Sequence, residues 1–331
     1  MNNVRNRRLM EECPVKSKKV TASLSAIAVL IMATGYAVED RDYPPEGTSA
    51  WRHLFAVDPS PEALAFAPPA PEKTEATRYT AEFKGEIAGF DIGRIYLDIE
   101  TSPERYAVDY RMRQNGIARW FSDAEATSRA RGHFGDQNRI TEHYYFNHDY
   151  EAEDDQQYVE IYRPYGQRRM HLWTSPTYSF REPVSEGQAA DAVDPMSALI
   201  GLSFTAVPEG KSPCDREIDV FDGRRLFTLE MRDEGTENLN RRGNNLYNGS
   251  AYKCRLHQEK IAGYREKDLG DVNGDLWVYL ADVPDPFRTP TFAYVPVMIK
   301  GKQGIFTAWL EGENPTITSP DGKTINLGTL Q

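Results

Sequence analysis

Residues 212–231, SPCDREIDVFDGRRLFTLEM, carry the side chains with the most chemical potential in this 331-residue chain. Cys214 is a candidate thiolate nucleophile that Asp219 or Arg224 could assist in covalent catalysis. The same letters also alternate between apolar and charged types around Asp222-Gly223, a turn signal. Because that alternation explains each charge as a side chain facing water, the pattern favours a β-hairpin over an active site.

Paired carboxylates are a second possible chemistry, that of an exported glycan hydrolase, with Asp219 and Asp222 as the pair. Three positions apart on a strand and its turn, these two side chains are expected on opposite faces, which works against a shared site. Neither G-x-S-x-G nor H-E-x-x-H occurs in the sequence. We therefore expect a non-enzymatic protein that uses no cofactor.

Four oxygen-bearing residues, Asp271, Asn273, Asp275 and Asp282, occupy positions 1, 3, 5 and 12 of a calcium-loop pattern. Position 6, where such a loop needs glycine, is Leu276, and the letters that follow alternate like a strand. The pattern favours an Asn-Gly turn followed by a strand, with a calcium site as the weaker alternative.

His143 and His148 stand near carboxylates, but their spacing fits neither a helical nor a strand pair of metal ligands. We expect both to be surface histidines beside an acidic loop, Glu151 to Asp155.

Aromatic residues are dense between positions 144 and 173. Tyr144, Tyr158, Tyr162 and Trp173 are candidates for lining a ligand groove that would accept a glycan or an acyl chain. Core packing and cross-strand pairing are the commoner roles of aromatic residues in strands.

The N-terminus reads as an export signal. A basic region, residues 1–19, precedes a short apolar run from Ala22 to Ala33, and Gly35 and Ala37 fit the positions before a cleavage site. The run is shorter than the roughly 20 residues of a spanning helix. Residues 1–37 are thus a signal peptide or an uncleaved anchor, and a periplasmic location is expected.

Net charge and cysteine count agree with export. The chain carries a formal charge of −11, which becomes −15 without residues 1–37, and this argues against nucleic acid as a partner. Cys13 lies in the leader, so Cys214 and Cys254 remain as an even pair for a disulfide.

Period-two alternation dominates the rest of the chain and predicts an all-β fold. Residues 38–77 are Pro- and Ala-rich and read as a largely disordered linker, and residues 78–331 read as one domain. Asn115-Gly116 predicts a two-residue hairpin. One helix is expected, with Asp194 as N-cap and Pro195 at its first position, and with a single apolar face.

Five motifs resemble domain of unknown function 3108, a family of exported bacterial envelope proteins. They are YTAEFKGEIAGFDIGRIYLDI, DPMSALIGL, CDREIDVFDGRRLFTLEM, AYKCRLHQEKIAGY and VPVMIKGKQGIFTAWL. The resemblance covers roughly residues 78–312. It implies a strongly curved antiparallel sheet, an open barrel or β-spiral, and it supports pairing of Cys214 with Cys254. The predicted helix, short and apolar in an all-β chain, is expected to plug the open end or concave face of that sheet.

These patterns predict a non-enzymatic periplasmic protein that supports the cell envelope. It would bind a lipid-like hydrophobic ligand or an envelope protein on the concave face of its sheet. A scaffolding protein without a small ligand is the alternative.

Overall fold

A computed structural model describes residues 67–116, 124–135, 140–152, 155–164, 170–175, 183–240, 245–264, 275–303 and 306–329. The predicted leader and most of the predicted linker lie outside these ranges. Among the residues described, no helix has both the length and the apolar character needed to span a membrane.

Fourteen strands and three short helices make up the described chain. The strands are β1 Thr77–Ile87, β2 Phe90–Thr101, β3 Arg105–Gln114, β4 Glu125–Phe134, β5 Ile140–Ala152, β6 Asp155–Arg163, β7 His171–Ser175, β8 Arg216–Phe221, β9 Leu226–Leu239, β10 Gly249–Ala262, β11 Asp275–Asp282, β12 Tyr294–Gln303, β13 Phe306–Thr318 and β14 Thr324–Asn326. The helices are α1 Glu186–Ala189, α2 Pro195–Ser203 and the 3₁₀ helix η1 Leu327–Thr329.

All fourteen strands belong to one antiparallel sheet. Its path runs β7-β6-β5-β4-β3-β2-β1-β13-β12-β11-β10-β9-β8, with β14 beside β13. Two meanders, β1 to β7 and β8 to β13, are thus joined by the β1–β13 ladder, and among the described residues no ladder links β7 to β8. The predicted curved and open antiparallel sheet is confirmed.

Strict alternation explains why the first strands form as they do. Tyr79 and Phe83 on β1 and Ile95, Leu97 and Ile99 on β2 are at most 3% exposed, while the alternate residues Thr80, Glu82, Tyr96 and Asp98 are more exposed. Period-two patterning places one face of each strand in the core and leaves the other in water.

The predicted hairpin at Asn115-Gly116 is wrong. Strand β3 pairs with a strand that begins only at residue 125, with Arg113 opposite Glu125. Gly116 instead has a positive φ of 57° and packs against the backbone of Asp91 on β2. A Cβ on Gly116 would lie 2.3 Å from the Asp91 carbonyl oxygen. Glycine is therefore required at this position by the close approach to β2 and not by a two-residue turn.

Helix α2 begins where the sequence predicts. The carboxylate of Asp194 accepts hydrogen bonds from the backbone N–H groups of Met196 (2.9 Å) and Ser197 (3.0 Å). The prediction of a single apolar face is wrong, because Ser197, Ala198 and Ser203 are buried as well. A helix covered on most sides is expected when it fills the inside of a curved sheet.

The curvature of the sheet is visible in the neighbours of α2. The helix contacts β4 and β5 from one meander and β8 and β12 from the other. These strands are far apart in sheet order, so the sheet must curve around the helix. Helix α2 therefore plugs the concave side of the sheet. A second helix, the single turn α1 with a Ser185–Gln188 capping box, precedes it and was not predicted.

Candidate functional site

The space between α2 and the concave face of the sheet is narrow where the structure describes it. A crevice of about 40 Å³ remains between α2 and the sheet. Its lining is apolar apart from one serine: Phe83, Leu97, Pro195, Leu199, Leu202, Ser203, Leu229, Met231, Leu256, Val278, Pro296 and Ile299. Ligand pockets usually measure about 300–1,000 Å³, so this crevice holds no acyl chain while the helix is in place.

The opposite face carries a much larger concavity, which we call the outer groove. It measures about 860 Å³, is shallow, and crosses β13, β1, β2, β3 and β4. Its side chains come mainly from the face turned away from α2, and the main contributors are Thr80, Glu82, Tyr96, Asp98, Asp109, Arg111, Arg113, Glu125, Thr127, Glu313 and Thr316.

Tyr96 and Arg111 form the centre of this groove. They lie directly opposite each other on β2 and β3, and both are exposed, Tyr96 at 46%. Arg111 has no ion-pair or hydrogen-bond partner among the described residues. Burial and then the nearby Glu82 carboxylate raise the pKa of the Tyr96 hydroxyl, which keeps it a neutral donor. The pair therefore offers an aromatic ring and an uncompensated cation.

Ion pairs neutralise most other charges along the groove. Arg94 lies 3.2 Å from Glu82, Arg113 lies 3.0 Å from Glu125, Arg129 lies 3.2 Å from Asp109, and Arg78 is bonded to Asp98. Exposed pairs of this kind contribute little to stability. Their effect is to leave Arg111 as a cation without such a partner.

Residues 212–231 form a hairpin, not an active site. Strands β8 and β9 pair around Asp222–Arg225, and Gly223 has the positive φ of 90° that the turn requires. Cys214 is bonded to Cys254, as the cysteine count predicted. Asp219 is exposed and accepts a hydrogen bond from Thr228, whereas Asp222 is buried.

Several charges of this hairpin do not face water, contrary to expectation. The guanidinium of Arg216 donates to Pro213 O (2.8 Å), to Thr205 Oγ1 (2.7 Å) and to the carbonyl of Gly201. It thereby satisfies the C-terminal end of α2, and burial lowers its pKa to about 10.

The apolar cluster around the disulfide, which we call the staple, includes Leu202, Met231, Leu256 and Leu280.

Arg224 and Gly223 join the two ends of the sheet at a contact that we call the seam. Arg224, 5% exposed, donates to Gln157 Oε1 (3.1 Å) on β6 and to Ser175 O (2.7 Å) on β7. A Cβ on Gly223 would lie 2.4 Å from Val159 Cγ1, so the turn rests directly on β6. The seam is made by side chains where a closed barrel would have a backbone ladder.

Arg163 adds a second tie on the same side. Its buried guanidinium donates to the carbonyls of Ala189 (2.8 Å), Ala190 and Ala192 (3.2 Å), at the end of α1. The next residue, Val193, forms a parallel bridge with Val220 on β8. The segment before α2 is therefore fixed to both ends of the sheet.

His148 lies beneath the seam, 3% exposed, so its predicted surface position is wrong. Its Nδ1 is 2.8 Å from Ser128 Oγ on β4, and it lies opposite Val159 on β6. Burial, followed by the charge of Arg224, lowers the pKa of this imidazole to about 4. The side chain of His143 lies outside the described residues.

The calcium-loop residues are separated where they are described. Asp275 and Asp282 stand at opposite ends of β11; the first lies 2.5 Å from Arg255 Nη2 and the second 2.8 Å from Arg288 Nη1. Asp271 and Asn273 lie outside the described residues. Among those described, no cluster of three or more His, Cys, Asp or Glu side chains could hold a metal ion.

The aromatic candidates lie on the outer face of β6 and β7. Tyr162, His171 and Trp173 stack in a row, with centroid distances of 6.0 and 6.1 Å, and Tyr158 donates to Glu160. They face away from Val159 and Ile161, which belong to the core. The side chain of Tyr144 is not among those described.

Sequence reasoning missed the groove pair and the seam. Tyr96 and Arg111 are fifteen positions apart, and only the register of β2 against β3 makes them neighbours. The Asp-Gly-Arg-Arg letters signalled a turn, but they did not show that Arg224 is buried. Nothing in the letters identified Gln157 and Ser175 as their partners.

The fold and these contacts define an open, all-β protein with a helical plug and a polar outer groove. The sequence matches the family described as "Protein of unknown function (DUF3108)" over residues 78–305, and the chain belongs to that family. No curated protein matches it. One similar solved structure is titled "Crystal Structure of Beta-barrel-like Protein of Domain of Unknown Function DUF1849 from Brucella abortus". It is 10% identical, with a TM-score of 0.38, covering 72% of this chain and 96% of that one.

Proposed function

We propose that this protein is an exported, non-enzymatic component of the bacterial cell envelope that binds another envelope protein along the outer groove. The observation that carries the proposal is the contrast between the two faces of the sheet. The crevice described between α2 and the concave face measures about 40 Å³, whereas the outer groove measures about 860 Å³. Export is supported by the basic and apolar pattern of residues 1–37 and by the disulfide.

The composition of the groove favours a protein partner. Tyrosine and arginine are enriched at the centres of protein–protein interfaces, where a few such residues dominate the binding energy. Tyr96 and Arg111 stand side by side at the floor, with a rim of paired charges around them. A partner segment that presents a carboxylate to Arg111 and an apolar group to Tyr96 fits this arrangement.

Capture of partners from envelope extract tests the proposal. The wild-type protein should retain a specific envelope protein, and Tyr96→Ala and Arg111→Glu should each reduce its capture at least tenfold. Arg232→Glu is the matched control, because Arg232 is an exposed strand arginine outside the groove. Equal capture by all four proteins would place the binding surface elsewhere and overturn the proposal.

Carriage of a hydrophobic ligand is the second candidate, and the apolar lining of the crevice beneath α2 favours it. An acyl chain would enter only if α2 moved. Native mass spectrometry of protein purified from its own source without detergent distinguishes the candidates. A bare mass agrees with the partner-binding role, while an adduct of lipid mass that is lost on denaturation would establish carriage.

A further inference from the structure

We propose that the seam is a pH-sensitive latch, which releases the β6–β7 end of the sheet from the β8–β9 turn when His148 takes up a proton. This inference is independent of what the outer groove binds. It concerns how the sheet opens and closes.

The first ground is how the two ends of the sheet are held. In the part of the chain that the structure describes, no ladder of backbone hydrogen bonds connects β7 with β8. The turn is held by the Arg224 guanidinium, through Gln157 and Ser175, and by the contact of Gly223 with Val159. A contact made through a buried cation is weakened by a second positive charge placed beside it.

The second ground is the position of His148. It lies on the same face of the sheet as Val159, directly opposite that residue, and thus next to the strand position on which the turn rests. Its Nδ1 contacts Ser128, while its Nε2 is buried without a hydrogen-bond partner in the described part of the chain. A buried imidazole with an unpaired nitrogen is stable only in the neutral form.

The charges that act on this imidazole come mainly from the turn. Arg224 and Arg225 oppose its protonation, whereas Asp222 and the backbone of Thr127 on β4 favour it. Asp222 is already engaged by Arg225 Nε (2.8 Å) and by two backbone N–H groups. Phe146 stacks beside the ring and carries no charge. Protonation therefore adds a cation next to the tie formed by Arg224.

The pKa of His148 differs between the closed and the open seam. The closed seam depresses the imidazole pKa to about 4, whereas an open seam returns it towards the ordinary value of about 6.5. Opening therefore takes up a proton between these two values, so acid favours the open form. The opening equilibrium should rise roughly 30-fold between pH 7.5 and pH 5.

Hydrogen exchange of the full chain, read peptide by peptide at pH 7.5 and pH 5, tests the latch. Rates must be corrected for the intrinsic pH dependence of exchange with an unfolded reference. In the wild type, the protection factors of β7 and of residues 222–226 should fall roughly 30-fold at pH 5. The protection factors of β1, β2 and β13 should not change. His148→Gln should remove this change, because glutamine retains a partner for Ser128 but does not titrate.

His257→Gln is the matched control, since it removes an exposed histidine on β10, and it should behave as the wild type. Unchanged wild-type protection at the seam, or an equal loss in His148→Gln, would overturn the proposal. If His148→Gln does not fold, the wild type alone decides it. A loss confined to the seam within the pH 4 to 6.5 window supports the latch, and a loss spread over all strands contradicts it.

Discussion

The staple and the seam hold the two ends of the same chain segment by opposite physical means. At the staple, the Cys214–Cys254 bond lies within an apolar cluster that includes Met231 and Leu256. At the seam, the hairpin that follows Cys214 meets β6 and β7 through a buried guanidinium and a glycine. The hairpin is therefore held near Cys214 by a disulfide, which does not respond to pH, and at its turn by the Arg224 contact, which depends on charge.

Loss of the disulfide should give the largest effect. The double variant Cys214→Ala/Cys254→Ala opens a loop of 40 residues, which should lower the free energy of unfolding by about 4 kcal/mol in the chain-entropy model. Urea denaturation at pH 7 and pH 5 measures it. Because the bond does not titrate, the loss should be the same at both pH values, and a strong pH dependence would erase the contrast with the seam.

Substitution of the turn glycine should be the next largest. Gly223→Ala places a Cβ 2.4 Å from Val159 Cγ1 at a φ of +90°, so strain and overpacking together should cost about 3 kcal/mol. Gly322→Ala is the control, because its φ is +81° but nothing lies within 4 Å of the added atom. The control should lose about 1 kcal/mol in urea denaturation. Equal losses would mean that the seam contact contributes nothing.

Removal of the seam cation should be weaker. Arg224→Gln leaves Ser175 O and the Gln157 amide with poorer partners, and the free energy of unfolding should fall by about 2 kcal/mol. Arg232→Gln, an exposed arginine paired with Glu230 on β9, should show no measurable change. Thermal unfolding followed by circular dichroism compares the two, and matching values would remove the special status of Arg224.

The smallest expected effect concerns Asp194, beside the Val193–Val220 bridge. Burial raises the pKa of this carboxyl from its ordinary value of 3.8 to about 6, with the Ser197 hydroxyl acting in the other direction. The folded state thus binds an extra proton between pH 3.8 and 6, and this contribution to stability is lost as pH rises through 6. It opposes the contribution of His148, which is lost as pH falls.

Asp194→Asn removes the titration and keeps an N-cap side chain. The stability of the wild type relative to this variant should therefore increase by about 1 kcal/mol from pH 7 to pH 5. Urea denaturation at these two values measures the difference. A difference that does not change with pH would show that the pKa of Asp194 is not raised in the folded protein.

Local patterns were predictable because their causes lie within a few residues. Alternation predicted the all-β fold, the Asp194-Pro195 pair located the start of α2, and Asp222-Gly223 located the β8–β9 turn. The Asn115-Gly116 prediction failed because a glycine with positive φ serves equally well for a close approach to another strand. A turn-type sequence indicates the local backbone conformation, but it does not indicate which other strand that backbone contacts.

The sequence alone determined the all-β class, the helix start and the cysteine pair, since strand periodicity, capping and cysteine count are local or compositional properties. Tertiary structure decided which charges are buried and which side chains meet. Arg224 reaches Gln157 across 67 positions, and Tyr96 meets Arg111 only through strand register. The physical reason is that a strand's letters specify its two faces, but the curvature and register of the whole sheet choose what each face touches.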